Sequence, residues 1–454
     1  MGITRFIENA FQRYIPSPFV IAVLLTIVTM VMALLFTENS TDDWHIISIL
    51  KFWEEGIWNT GLLVFGYQMM LILVLGHILV LSPPMRWCIN KIIALVYDTR
   101  SAVIIVSICT MLVSFWNWGF GLIFGAILAR KVGESFQQKG IPINYPLVGA
   151  AGYVGLMIWH GGMSGSAPLK VAEEGYIASL MQGVSNPEII QQLPDQITSA
   201  QTIFSWWNLV LFGILLVIIP WILALLSRKA KPTQLPAFTG THTVNTDKGD
   251  LDQGSLDRSK ILGIAFGILV LIAFCARYFG KSLSPNMINF LLLGLGILFH
   301  GSFKNFLKAV EEAIGGASGI LIQFPLYFGI MGIMKSTGMV TMISDGFIAV
   351  ATSTTLPLFT FFSAAIVNVF VPSGGGQWAV QGPIVIESAV QLGVPLPKAV
   401  MALAYGDQIT NMLQPFWALP LLGITKLKAK EILPYTLILM VAGSAVYILG
   451  LLLF

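Results

Sequence analysis

Charge is the scarcest property of this 454-residue chain: Asp, Glu, Lys and Arg make up 10% of it, against 56% hydrophobic residues. A soluble domain carries about 25% charged residues, so a water-soluble fold is excluded and an integral membrane protein remains. The net charge of +3 is too small and too dispersed to attract a polyanion, and no nucleic-acid partner is expected. Cys88, Cys109 and Cys275 are odd in number and far apart, which excludes a disulfide framework or a thiolate metal site. No Walker-type loop appears, so pumping driven by nucleotide hydrolysis has no machinery. Ser164 is not in a nucleophile elbow, because Ser166 stands where the second glycine belongs. His77, His160 and His300 are isolated near the ends of apolar runs, whereas haem ligation needs two facing each other. Neither an enzyme nor a resident cofactor is expected.

Long apolar runs are what the chain has. They fall near Phe19–Phe36, Leu62–Leu81, Tyr145–His160, Trp206–Leu226, Ile261–Phe279, Met287–His300, Ser318–Ser336, Ala399–Leu422 and Leu433–Leu452. The first follows Arg5 and Arg13 and reads as a retained signal anchor. Two further regions, 102–129 and 356–390, read as hairpins that return to the side they left. The expected fold is an all-α polytopic membrane protein with nine transmembrane crossings and two re-entrant hairpins. Placing the N-terminus in the cytoplasm and the C-terminus outside puts most of the 25 lysines and arginines on the cytoplasmic side. The polar tract 227–259, with Pro232 and Pro236, is a cytoplasmic linker between residues 1–226 and 260–454. Trp44, Trp53, Trp58, Trp206 and Trp207 fall at the outer boundary as belt residues.

The two halves resemble each other. Phe52-Trp53-Glu54-Glu55-Gly56-Ile57 matches Ala309-Val310-Glu311-Glu312-Ala313-Ile314, each leading into an apolar run. Asn117-Trp118-Gly119-Phe120-Gly121 marks the tip of the first hairpin; Asn368 with Ser373–Gly376 marks the second. A broken helix follows each hairpin, at about 145–180 and 399–422, interrupted at Gly161–Pro168 and Thr410–Pro415. An odd number of crossings between the units makes the repeat inverted, and interrupted helices in matching positions point to a binding site at mid-membrane.

The second tip, Val371-Pro372-Ser373-Gly374-Gly375-Gly376-Gln377-Trp378, carries most of the functional reading. Pro372 ends the preceding helix and three glycines expose main chain. Irregular backbone at membrane depth persists only where protein buries it or where it lines a wet cavity. Half-helix N-termini attract anions and carbonyl ends attract cations. Close helix packing is the other use of such glycines. Asp407 is the ionisable group most clearly inside a crossing and the candidate for coupling a proton or a cation, with hydrogen bonding to exposed backbone as the alternative. No Lys or Arg lies in the core of a crossing, so an anionic solute would be held by dipoles and by Ser, Asn and Gln side chains, and would travel with a cation or proton. Trp116, Trp118, Trp378 and Trp417 flank the interruptions, as the wall of an acyl pocket or as core packing.

These residues, with Gln381-Gly382-Pro383 and Gln414-Pro415-Phe416-Trp417-Ala418-Leu419-Pro420, closely resemble the bacterial short-chain fatty acid transporter family of the AtoE type, placed in the ion transporter superfamily. The resemblance runs over essentially the whole chain. It implies a bacterial inner-membrane secondary carrier, a homodimer with elevator-like movement, for small monocarboxylates such as butyrate, acetate or acetoacetate. By position it assigns substrate binding to Asn117, Gly119, Gly121, Ser164, Gly165, Ser166, Ser373, Gly374, Gly375, Gly376, Gln377 and Trp378. The reading of the residues themselves gives the co-ion, sodium or a proton, to Asp407 with the nearby oxygens of Asn368, Thr410 and Asn411. The Ser-Asn-Thr triplets at the hairpin tips of other superfamily members are absent here, so sodium coupling is not inherited with the resemblance. A carrier or exporter of another small organic anion, a channel and a membrane-embedded enzyme are the rival readings.

Overall fold

Apolar runs become helices because membrane-embedded backbone must satisfy its own hydrogen bonds. The computed structural model describes residues 18–38, 43–181, 193–236, 238, 256–279, 285–339, 342, 346 and 349–454, and no strand occurs among them. Most of the expected linker, 239–255, and the two N-terminal arginines lie outside the described residues.

The first half runs α1 (Pro18–Phe36), α2 (His45–Ile57), α3 (Thr60–Leu81), α4 (Pro83–Ile93), α5 (Thr99–Trp116), α6 (Trp118–Lys139) and α7 (Tyr145–Ala151). Two 3-10 turns, Val154–Met157 and Trp159–Gly161, then lead to the short helices α8 (Ser166–Lys170) and α9 (Tyr176–Met181), and α10 (Trp206–Ser227) closes this half. The second half runs α11 (Lys260–Tyr278), α12 (Pro285–His300), α13 (Phe303–Ile314), α14 (Ser318–Ser336), α15 (Leu356–Phe370), α16 (Gly374–Gln391) and α17 (Leu396–Thr410). A 3-10 turn, Asn411–Leu413, precedes α18 (Pro415–Thr425) and the long α19 (Ala429–Leu453).

Among the described residues, five helices are long and apolar enough to cross a membrane: α1, α5, α10, α11 and α19; α2 with α3 forms a sixth if the bent pair is one span. The runs at Tyr145–His160 and Ala399–Leu422 are broken helices, and α12 has only 16 residues. The first hairpin is longer than its expected bounds of 102–129. Its arms, α5 and α6, have 18 and 22 residues, about 27 and 33 Å at 1.5 Å per residue. Apolar character stops at Arg130, but the helix continues through Lys139, where Arg130 and Lys131 pair with Glu134 at 2.8 and 2.6 Å. The second hairpin, α15 and α16, spans 15 and 18 residues.

Each hairpin packs on the broken helix that follows it. A methyl group at Gly406 of α17 would lie 2.1 Å from the Phe361 carbonyl oxygen of α15, and one at Gly125 of α6 would lie 2.2 Å from the Gly152 carbonyl oxygen after α7. Only glycine allows these backbones so close. α2 and α13, the amphipathic segments matched by sequence, precede α3 and α14 in their respective halves.

Candidate functional site

The two tips and two breaks converge. The first tip is Asn117, the C-cap of α5 and the N-cap of α6, whose side-chain oxygen accepts the Phe120 amide at 2.9 Å. Ser164 Oγ, from the first break, accepts the Trp118 amide at 2.9 Å, and the Met163 amide donates to the Phe115 carbonyl at 2.7 Å. A methyl at Gly121 would lie 2.0 Å from Ser114 Oγ, so Gly121 serves the close approach of the two arms. Gly119 is buried against Ile72.

The second tip differs from expectation. Its three glycines are the first turn of α16, and only Val371–Ser373 is irregular. Ser373 is the N-cap and accepts the Gly376 amide at 3.2 Å. The amides of Gly374 and Gly375 have no acceptor within the helix. Gly374 is pressed onto the first break: a methyl there would fall 2.7 Å from Trp159 Cη2 and 2.8 Å from His160 Cε1. Gly375 is exposed, with Ser166 Cβ and Oγ the nearest atoms to its missing methyl, at 3.8 Å. The tip is therefore anchored on one side and open on the other.

His160, set aside by sequence reasoning, lies at the centre. It is fully buried, as is Asp407 at 1% exposure, and the His160 ring hydrogen-bonds through Nδ1 to Asp407 Oδ2. Its Nε2 accepts the Ala167 amide at 3.0 Å. Trp159 stacks on the imidazole at 4.5 Å. Gln408 Oε1 accepts the His160 and Gly161 amides at 2.7 and 3.1 Å, and its Nε2 donates to Tyr447 Oη, which donates to the Met157 carbonyl. Tyr405 donates to Asn208 Oδ1, and Asn208 Nδ2 donates to the Gly161 carbonyl at 2.9 Å. Neighbouring residues of α17 thus grip the ring and the backbone of the first break.

The second break is held in the same way. Asn368 Nδ2 faces the Asp407 carbonyl at 2.6 Å, Asn411 Oδ1 at 2.7 Å and Thr410 Oγ1 at 3.0 Å. With only two hydrogens on that nitrogen, at most two of these bonds are full at once. Because the carbonyl only accepts, the amide orientation of Asn368 is fixed. Gln414 Nε2 donates to the Asn368 carbonyl at 2.6 Å, and Tyr153 Oη, from the first half, donates to the Asn411 carbonyl at 2.8 Å.

Several buried polar atoms lack a hydrogen-bond partner among the described residues: Asp407 Oδ1, Asn368 Oδ1, Gln377 Oε1, Gln414 Oε1 and Asn411 Nδ2. Such atoms mark a place that an ion, a proton, water or a solute completes. No group of three or more His, Cys, Asp or Glu able to hold a metal occurs among the described residues.

Other expected site residues play different parts. Gln377 Nε2 bonds to the Ala364 carbonyl at 2.9 Å and to Gln381 Oε1 at 2.7 Å, zipping α16 to α15. Trp378 is fully buried in a satellite cluster with Ala167, Val171, Ile177 and Met181. Trp116 is 42% exposed, so the four tryptophans do not form one wall. Trp118 instead meets Trp417 edge-on at 5.1 Å and Trp159 at 5.8 Å. Gly165 lets the break fold back: a methyl there would lie 2.0 Å from the His160 carbonyl oxygen.

An all-helical membrane protein whose broken helices and hairpin tips surround one buried polar cluster is consistent with the class of multi-spanning transport proteins. Its sequence relatives make this specific. The chain matches the family described as "Short chain fatty acid transporter" over residues 1–454, and it belongs to that family. It is 36% identical over 460 residues to a protein of Escherichia coli (strain K12) named "Putative short-chain fatty acid transporter", covering 100% of this chain and 99% of that one. A protein of the same name from Haemophilus influenzae is 36% identical over 458 residues, covering 99% and 98%. Among solved structures, Neisseria gonorrhoeae MtrF, described within a class of antimetabolite efflux pumps, aligns at TM-score 0.42 and 14% identity, covering 98% of this chain and 96% of that one. The Alcanivorax borkumensis YdaH transporter aligns at TM-score 0.42 and 17% identity, covering 96% and 98%.

Proposed function

We propose that this family member is a secondary active carrier that moves short monocarboxylates of the butyrate, acetate and acetoacetate class across the bacterial inner membrane together with a cation or proton. The observation that carries this reading is the second tip: Gly375 is exposed at the N-terminus of an 18-residue helix, opposite Ser166, with no lysine or arginine on either arm. First-turn amides supply partial positive charge to a carboxylate without a cation that would hold it too long. The edge-to-face indoles of Trp118 and Trp417 offer an apolar surface for a short acyl chain. Asp407, Asn368, Thr410 and Asn411 lie together one shell away and serve the co-ion.

The order of elements is the same in both halves: capped hairpin, half-helix, break, half-helix. This favours an inverted repeat with re-entrant hairpins and nine crossings, N-terminus cytoplasmic and C-terminus periplasmic. Elevator movement in a homodimer rests on the superfamily resemblance alone.

Uptake of labelled butyrate into proteoliposomes tests the reading. Saturable accumulation beyond the solute's own electrochemical equilibrium is expected under an imposed cation or pH gradient. Flux that only equilibrates points to a channel, accumulation of other organic anions but not butyrate to a different carrier, and chemically altered solute to an enzyme.

A further inference from the structure

The couple His160–Asp407 is more specific than a site for any cation. A backbone N–H can only donate, so the Ala167 amide at 3.0 Å fixes His160 Nε2 as an acceptor. The ring proton is then on Nδ1 and is donated to Asp407 Oδ2. The histidine is a neutral donor, and the one formal charge of the couple is that of the carboxylate. Asp407 Oδ1 is buried and has no hydrogen-bond partner among the described residues. Protonating Nε2 would turn it against the Ala167 amide, donor to donor; protonating Oδ1 displaces nothing.

We propose that Asp407 Oδ1 is the loading site of a coupling proton, with His160 as the positioning residue, and that the proton and the carboxylate solute bind synergistically. This rests on the substrate reading above. The link is geometric: the missing methyl of Gly374, first residue of the tip helix, would sit 3.2 Å from His160 Nδ1, the atom that holds Asp407. A buried carboxylate one ring away from the tip repels an arriving carboxylate, and a low-dielectric surround strengthens the repulsion. Loading a proton removes that charge. By reciprocity, bound solute then favours the proton to the same degree.

Other titratable groups on the elements packed against α17 do not compete. Tyr405 and Tyr447 are engaged as above, and Lys170 pairs with Glu173 at 2.9 Å. Glu387 is bonded by Gln391 at 3.3 Å. Lys398 on α17 itself lies about 13 Å along the helix from Asp407, and Lys430 and Glu431 begin α19 about 24 Å before Tyr447.

The test is butyrate binding to purified protein in weak buffer with a pH indicator, with Asp407→Asn alongside. The wild type should take up about one proton per butyrate, and its affinity should rise about tenfold for each pH unit lowered while the site is empty of protons. Asp407→Asn, a permanent mimic of the neutral carboxyl, should bind butyrate with no proton uptake and no pH dependence. Should that variant not fold, the wild-type proton count decides alone. Butyrate binding without proton uptake, or binding that requires sodium, overturns the proposal but leaves the substrate reading intact. If butyrate does not bind, that reading fails, and ¹⁵N-histidine spectra decide the couple separately. The resonance lost in His160→Gln should report the Nδ1–H tautomer at neutral pH, and an Nε2–H tautomer or an imidazolium there overturns the assignment.

Discussion

Two adjacent glycines on the same helical turn make opposite predictions. Alanine is favoured over glycine within a helix by about 1 kcal/mol, so propensity alone predicts that Gly374→Ala and Gly375→Ala both stabilise α16. Space separates them. At Gly374 the new methyl meets the Trp159 and His160 rings at 2.7 and 2.8 Å, whereas at Gly375 it meets only Ser166 at 3.8 Å. Both rings are pinned, one by stacking and the other by Asp407 and Ala167, so neither yields cheaply. Gly374→Ala is expected to lower the melting temperature in detergent and to cut butyrate uptake at least tenfold. Gly375→Ala should melt at or above the wild-type temperature. Equal melting temperatures for the two would mean that the tip does not rest on His160. The sequence made Asp407 visible because it sits inside an apolar run. It hid His160 because the run Tyr145–His160 stops there, and a run's end is ordinarily the membrane surface. In the fold that end is an interruption between α7 and α8, and the same rule about intramembrane ionisable groups applies to both residues.

At the scale of elements, the question is what keeps two helices broken. An interruption frees main-chain groups, and each unpaired one in a dry setting costs about 1–3 kcal/mol. Here side chains from elsewhere take them up: Gln408 holds the His160 and Gly161 amides, Asn208 the Gly161 carbonyl, and Tyr153 the Asn411 carbonyl. Gln408→Ala strands two buried donors and is expected to destabilise by about 2–4 kcal/mol, read as a fall in thermal or denaturant midpoint. Asn368→Ala releases the second break and should cost about 1–3 kcal/mol. Gln391→Ala, which removes only an exposed bond to Glu387, should stay within about 0.5 kcal/mol of wild type. The second break falls where Thr410–Pro415 placed it, ahead of a proline that starts the next helix, whereas the first opens after Ala151, before the expected Gly161–Pro168. The Gln408 and Tyr153 clamps were not legible in the sequence, since they join residues more than 200 positions apart and no local pattern encodes that pairing. The 3-10 turns that widen the first break were equally silent, because Val154–Met157 is as apolar as any helix.

For the whole molecule, the expected orientation, N-terminus cytoplasmic and C-terminus periplasmic, divides residues that line two separate cavities. Arg86, Arg130 and Lys131, expected inside and drawn from α4 and α6, line one common cavity with Glu134. Trp206, at the expected outer boundary, and Phe454, at the expected outer C-terminus, line another with Lys398. The native cysteines turn this into a measurement. Cys88 is exposed on α4, beside Arg86 and Lys91, while Cys109 and Cys275 can be replaced by alanine to leave it alone. A membrane-impermeant maleimide should label Cys88 in inside-out vesicles and not in intact cells. Alkaline phosphatase fused after Phe454 should be active. Labelling of Cys88 from outside the cell, together with an inactive fusion, would reverse the orientation. An active fusion with Cys88 labelled from outside would instead change the parity of crossings between α4 and α19. The inversion proposed for the two halves would then lose its basis, and a carrier that opens alternately to each side would need some other source of symmetry.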